Sequence, residues 1–106
     1  MKRQRVLFDK TEVIMVYDVL TNPFKKGIAK KALTYDKIQS ISIEKCNEKR
    51  LFKTIDSERI LIRAAGMTDS IIYYKSVEKD YFDEYKAGFR KFAKANRITL
   101  YDSVDV

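Results

Sequence analysis

Histidine and tryptophan are absent from this chain of 106 residues, and cysteine and proline occur once each. Without histidine the chain lacks the usual metal ligand, the usual general base and the usual switch near neutral pH. The lone Cys46 can form neither an internal disulfide nor a thiolate metal cluster, and no obvious base stands near it to make it a nucleophile. The three glycines, Gly27, Gly66 and Gly88, lie too far apart for a phosphate-cradling loop. Long apolar runs are missing as well. The longest, residues 13–17, is far below the ~20 residues of a spanning helix. The basic start, MKRQRVLFDK, is not followed by the apolar segment of a signal peptide. These gaps predict a non-enzymatic protein without cofactor or metal, soluble and cytoplasmic.

What is present is an ordinary globular balance: 45% hydrophobic and 35% charged residues, with seven Tyr and six Phe to fill a core. The length suits one domain, residues 1–106, with one modest core. The formal net charge of +7 favours approach to polyanions, a nucleic acid or an anionic membrane surface.

The first three quarters of the chain, within residues 4–77, read as strands. EVIMVYDVLT (12–21) is dense in β-branched residues. KIQSISIEKC (37–46) alternates Gln39, Ile41 and Ile43 against Ser40, Ser42 and Glu44, the period of a half-buried strand. RLFKTID and ERILIRAA follow, the second with Ile60, Ile62 and Ala64 on one face. DSIIYYKSV (69–77) puts Ile71 and Tyr73 on one side, Ile72 and Tyr74 on the other. With short strands at 5–8 and 28–35, the alternation predicts about seven. Turn signals at 47–49, 56–57 and 66–68 are short, which favours antiparallel hairpins closing into a partly open barrel or sandwich.

The period changes after Val77. Tyr81, Phe82, Tyr85, Phe89 and Phe92 recur at helical spacing and predict an amphipathic helix over about 78–97. Ser76 with Glu78, Asp80, Asp83 and Glu84 suits its start, and Lys91, Lys94 and Arg97 suit its end. Residues 98–106 read as a short strand or ordered tail.

Seven short antiparallel strands followed by one long C-terminal amphipathic helix resemble the order of a bacterial pleckstrin-homology-like (PH-like) domain. ALTYDKIQSISI resembles the segment of such domains in which a polar turn enters an I-x-x-I strand. SVEKDYFDEYKAGFRKFAKANRI resembles their closing helix. The resemblance implies a mainly β fold with one C-terminal helix capping the sheets, and a non-catalytic scaffold for a lipid head group, a peptide or another protein. It also implies that cations of the first hairpin loop take head-group phosphates.

Two basic features are candidate sites. NPFKKGIAKK (22–31) offers Lys25, Lys26, Lys30 and Lys31 as an anion site, or else a solvated turn set by Pro23 and Gly27. Phe24 reads as a membrane anchor or as a residue folded onto the core. If residues 5–8 form a strand, these lysines belong to the second hairpin and the implied head-group role weakens. Lys79, Lys86, Arg90 and Arg97 form a second basic line, opposite the helix's aromatic face, suited to a nucleic-acid backbone or simply to solvent. Consecutive strand residues face opposite ways, so at most one of Tyr73 and Tyr74 is free for base stacking. The expected function is an interaction module, with a protein or peptide partner favoured over anionic lipid and self-association open through a strand edge. The alternative is a small basic nucleic-acid-binding regulator.

Overall fold

A computed structural model of the chain describes residues 4–22, 25–49 and 51–104, with the side chains of 18–22 and 25–26 outside the description. Seven strands and one helix make up the described residues. β1 (Val6–Phe8), β2 (Glu12–Asn22) and β3 (Lys25–Thr34) form one antiparallel sheet in the order β1-β2-β3. A single 3-10 turn, Tyr35–Lys37, leads to the second sheet. There β4 (Ile38–Lys49), β5 (Thr54–Ala64) and β6 (Ile71–Tyr74) run antiparallel, and β7 (Thr99–Asp102) joins β4 on its other side. Helix α1 (Phe82–Asn96) lies between β6 and β7 in sequence. The fold is thus mainly β with one helix near the C-terminus, in two sheets that do not close into a barrel.

Three sequence expectations need correction. RLFKTID and ERILIRAA are not two strands, because β5 runs unbroken from Thr54 to Ala64 and residues 56–57 pair with Asn47 and Cys46. The seventh strand is β7 instead, and it pairs parallel to β4 from Ser40↔Thr99 to Ile43↔Asp102. A parallel neighbour needs a long crossover, which α1 supplies by carrying the chain from the β6 edge to the β7 edge. The third correction concerns β4. A register shift between Ile38 and Ser40 lets Ile38 be buried together with Ile41 and Ile43, while Gln39 is exposed.

The alternation otherwise works as physical chemistry demands. Val13 and Met15 of β2, Leu33 of β3, Ile41 and Ile43 of β4, and Ile60, Ile62 and Ala64 of β5 turn into one shared core. Tyr73 is buried with them, while Ile72, its neighbour, faces out. The helix closes this core with Phe82, Tyr85, Phe89 and Phe92. Each such side chain contributes ~1.5–3 kcal/mol on burial, far more than helix propensity does, so the aromatic stripe determines which face of α1 docks.

The helix is shorter than its charge pattern suggests. It starts at Phe82, with no side-chain cap on Tyr81. Ser76 does not cap it, because its hydroxyl donates to Glu48 Oε1 at 2.6 Å. Glu78 is buried, 4% exposed, against the Arg5 guanidinium at 3.3 Å. At the other end Arg97 takes a left-handed conformation (φ 55°) that stops the helix. The Tyr85 hydroxyl accepts a 2.7 Å hydrogen bond from the Arg5 backbone N–H, tying α1 to the entry of β1.

Candidate functional site

The lysines of 22–31 lie mostly on a strand. β1 is present, so the Lys-rich stretch belongs to the second hairpin, and β3 already begins at Lys25. Lys25 stands opposite Asn22, Lys26 opposite Leu20, Lys30 opposite Val16 and Lys31 opposite Met15. Pro23 and Phe24 lie outside the described residues. Lys30 and Lys31 are exposed, but consecutive strand residues point to opposite faces, so the two do not converge on one ligand. β3 is the edge of its sheet, where lysines blunt strand-to-strand association.

The second basic line is divided. Lys86 is only 8% exposed, and its Nζ donates to Glu58 Oε1 of β5 at 2.8 Å. Asp83 Oδ1 at 3.4 Å and the Phe82 ring at 5.7 Å complete its surroundings. Burial works against the Lys86 charge, yet the Glu58 hydrogen bond and attraction outweigh it and raise its pKa. The Glu58 carboxyl is correspondingly held below its usual range, chiefly by the Lys86 hydrogen bond. Arg90 is tied to Asp102 of β7, Nε to Oδ2 at 2.6 Å. Lys79 is exposed in the turn before the helix, and Arg97 is its left-handed cap. Two of these four cations therefore staple α1 to the second sheet, and no continuous free stripe remains.

Tyr73 is buried, and burial pushes its phenol pKa up strongly; Tyr74 is half-buried. Burial likewise lifts the Cys46 thiol, which lowers its thiolate fraction and its reactivity. Among the described residues no group of three or more His, Cys, Asp or Glu side chains is placed to hold a metal ion. No helix among them is long and apolar enough to cross a membrane.

The arrangement best suited to a ligand is one the sequence did not single out. Phe8 closes β1, and its ring lies flat against the helix where Gly88 has no side chain. A Cβ at Gly88 would stand 2.2 Å from Phe8 Cε2. The ring meets Phe89 edge-on, with centroids 4.9 Å apart, and Phe92 at 6.2 Å. Between the 9–11 turn and the second half of α1 this leaves an open cleft of about 640 Å³. Its apolar wall is Phe8, Gly88, Phe92 and Ala95; its rim is Lys10, Thr11, Lys91 and Asn96. Asn96 holds the rim in place, donating from Nδ2 to the carbonyls of Lys10 and Phe92, each at 3.0 Å. Asp9 is also on the rim, but its Oδ1 accepts from the Lys10 backbone N–H at 2.8 Å. The rim thus presents two exposed lysines over an apolar wall. A glycine at a position where the aromatic stripe passes a short first strand was the only sequence signal for it.

The sequence reading also missed the tip between β4 and β5. Leu51 and Phe52, read as part of a strand, are 88% and 93% exposed. Comparison with protein-family models, with curated proteins and with solved structures yields no match to this chain, so its sites rest on their own geometry.

Proposed function

We propose that this chain is a non-catalytic, PH-like interaction module that takes a peptide segment of a partner protein in the cleft between β1 and α1. The carrying observation is the cleft itself: an apolar wall of Phe8, Phe92 and Ala95 beneath a rim bearing Lys10 and Lys91. Concave apolar surfaces with a few placed polar groups are the usual form of a binding site. The chemistry fits a peptide with one large apolar anchor flanked by acidic residues.

The PH-like reading is supported by the order of antiparallel strands followed by an amphipathic helix. It departs from the pattern the resemblance implies in having six strands before the helix and a parallel β7 after it. A non-catalytic role is supported by the lack of histidine in the sequence and by a cleft whose only carboxylate, Asp9, accepts from the Lys10 backbone N–H. The nucleic-acid alternative has less behind it, because Lys86 and Arg90 are committed to Glu58 and Asp102.

The test is selection of binders from a random peptide library, followed by calorimetry on wild type and Ala95→Trp. Ala95 is exposed on the helix, so an indole there fills the cleft without entering the core. Selected peptides should be apolar and acidic, and the variant should bind them at least about tenfold more weakly, the loss expected for an excluded anchor side chain. Equal binding by the variant would remove the cleft from consideration.

A further inference from the structure

The β4–β5 ladder outruns its neighbours. β7 pairs with β4 only from Ser40 to Ile43, and β6 pairs with β5 only from Arg59 to Ile62. Beyond them the pairs Cys46↔Ser57, Asn47↔Asp56, Glu48↔Ile55 and Lys49↔Thr54 continue as a two-stranded ribbon, with no third strand among the described residues. At ~3.3 Å per residue those four pairs carry the tip roughly 13 Å past the sheet.

The described residues at that tip are Lys49, Leu51, Phe52 and Lys53, two cations and two large apolar side chains with no acid. Leu51 and Phe52 are the most exposed large hydrophobic side chains of the described residues, at 88% and 93%. Lys49 and Lys53 beside them are exposed too. Glu48, the nearest acid in sequence, accepts a hydrogen bond from Ser76. Single exposed apolar residues are common on surfaces and need no explanation. A Leu-Phe pair at the end of a projecting ribbon, inside a collar of one charge sign, is a different arrangement.

The charge and the shape select the occupant. Leu51 and Phe52 stand almost fully exposed at the end of the ribbon, which suits insertion into a fluid surface better than seating in a shaped protein pocket. A cationic collar around an apolar point matches a layer of anionic headgroups above hydrocarbon. We propose that the β4–β5 tip inserts Leu51 and Phe52 into the headgroup–acyl boundary of an anionic bilayer, with Lys49 and Lys53 at the phosphates. None of its residues lines the β1–α1 cleft, so this proposal stands apart from the peptide reading.

The chain has no tryptophan, so Phe52→Trp introduces a single reporter. With vesicles of phosphatidylcholine and phosphatidylglycerol its emission should shift to the blue and the protein should co-sediment; with phosphatidylcholine alone it should do neither. Leu51→Ser/Phe52→Ser should weaken sedimentation at least about tenfold, given the apolar area withdrawn from water. Lys49→Gln/Lys53→Gln should weaken it about fivefold or more and flatten its salt dependence. Lys30→Gln/Lys31→Gln serves as a control for basic charge elsewhere and should leave binding nearly unchanged. All these side chains are exposed, and circular dichroism verifies that each variant is folded. No blue shift with anionic vesicles would overturn the proposal, as would full sedimentation of the serine variant. Loss of binding in the β3 variant alone would assign the lipid to the other hairpin. A blue shift that grows with protein concentration without lipid would assign the tip to a second copy of the chain.

Discussion

Replacing Lys86 by Met keeps the long stem packed against Phe82 and removes the charge that faces Glu58. Glu58 then retains only Lys75, whose Nζ is 3.5 Å from Oε2. Breaking a buried ion pair by removing one partner costs ~3–5 kcal/mol. Here Lys75 remains and the Glu58 side chain keeps 18% of its exposure, so a loss of about 2–3 kcal/mol is expected at pH 7. The loss has a pH signature. The folded-state pKa of Glu58 is depressed, so its contribution is present above the ordinary carboxylate pKa of ~4.3 and is lost as pH falls through the lower folded value. Lys86 has a raised pKa, so its contribution persists below the ordinary lysine pKa of ~10.4 and is lost only as pH rises through the higher folded value. Urea unfolding of wild type and Lys86→Met at pH 7 and near pH 3 is the assay, and the gap should shrink to under about 1 kcal/mol in acid. Glu58→Gln/Lys86→Met should recover part of the stability, because no lone charge is left buried. A gap under about 0.5 kcal/mol at pH 7, the size of an exposed pair, or one that persists unchanged in acid, would refute the staple.

Two further substitutions test the backbone arguments. Gly88→Ala gains ~1 kcal/mol of helix propensity but forces the Phe8 ring aside, at a cost of ~1–3 kcal/mol, so wild type should be destabilised by about 1 kcal/mol. In a Phe8→Ala background the same change should become stabilising; thermal melts showing the same sign in both backgrounds would contradict the contact. Arg97→Gly should raise stability by about 0.5–1 kcal/mol in chemical denaturation by relieving the left-handed backbone, and a lower stability would show that the Arg97 side chain matters more than its φ.

The elements legible in the sequence are those whose pattern is dictated by one buried face. β2, β4 and the aromatic side of α1 each turn apolar residues to the shared core; β-branched density finds β2, and period finds α1 and, past its register shift, β4. The continuation of β5 through Asp56 and Ser57 was not legible, because the ribbon is only half-buried on one face and exposed on the other, so polar residues carry little penalty there. The same holds for β4 through Asn47 and Lys49. β7 is half-covered and four residues long, and its parallel partner is set by the length of α1, which local pattern does not encode. Lys86 looked like a solvated helix position. Its partner, Glu58, lies 28 residues away on another element, and only the fold brings the two together. The cleft escaped for a related reason: it is made by the fit of Phe8 to Gly88, a contact across 80 residues of chain. The Lys-rich stretch was conspicuous in composition, yet a strand edge explains it without a ligand.

The central claim is that the β1–α1 cleft receives a partner segment. Its most direct test is an amide-resolved NMR titration of the protein with the tightest peptide from the library selection. The account predicts shifts concentrated at residues 8–11 and 88–96, abolished in Ala95→Trp. Shifts concentrated instead at residues 25–31, or a pattern that Ala95→Trp leaves intact, would contradict it.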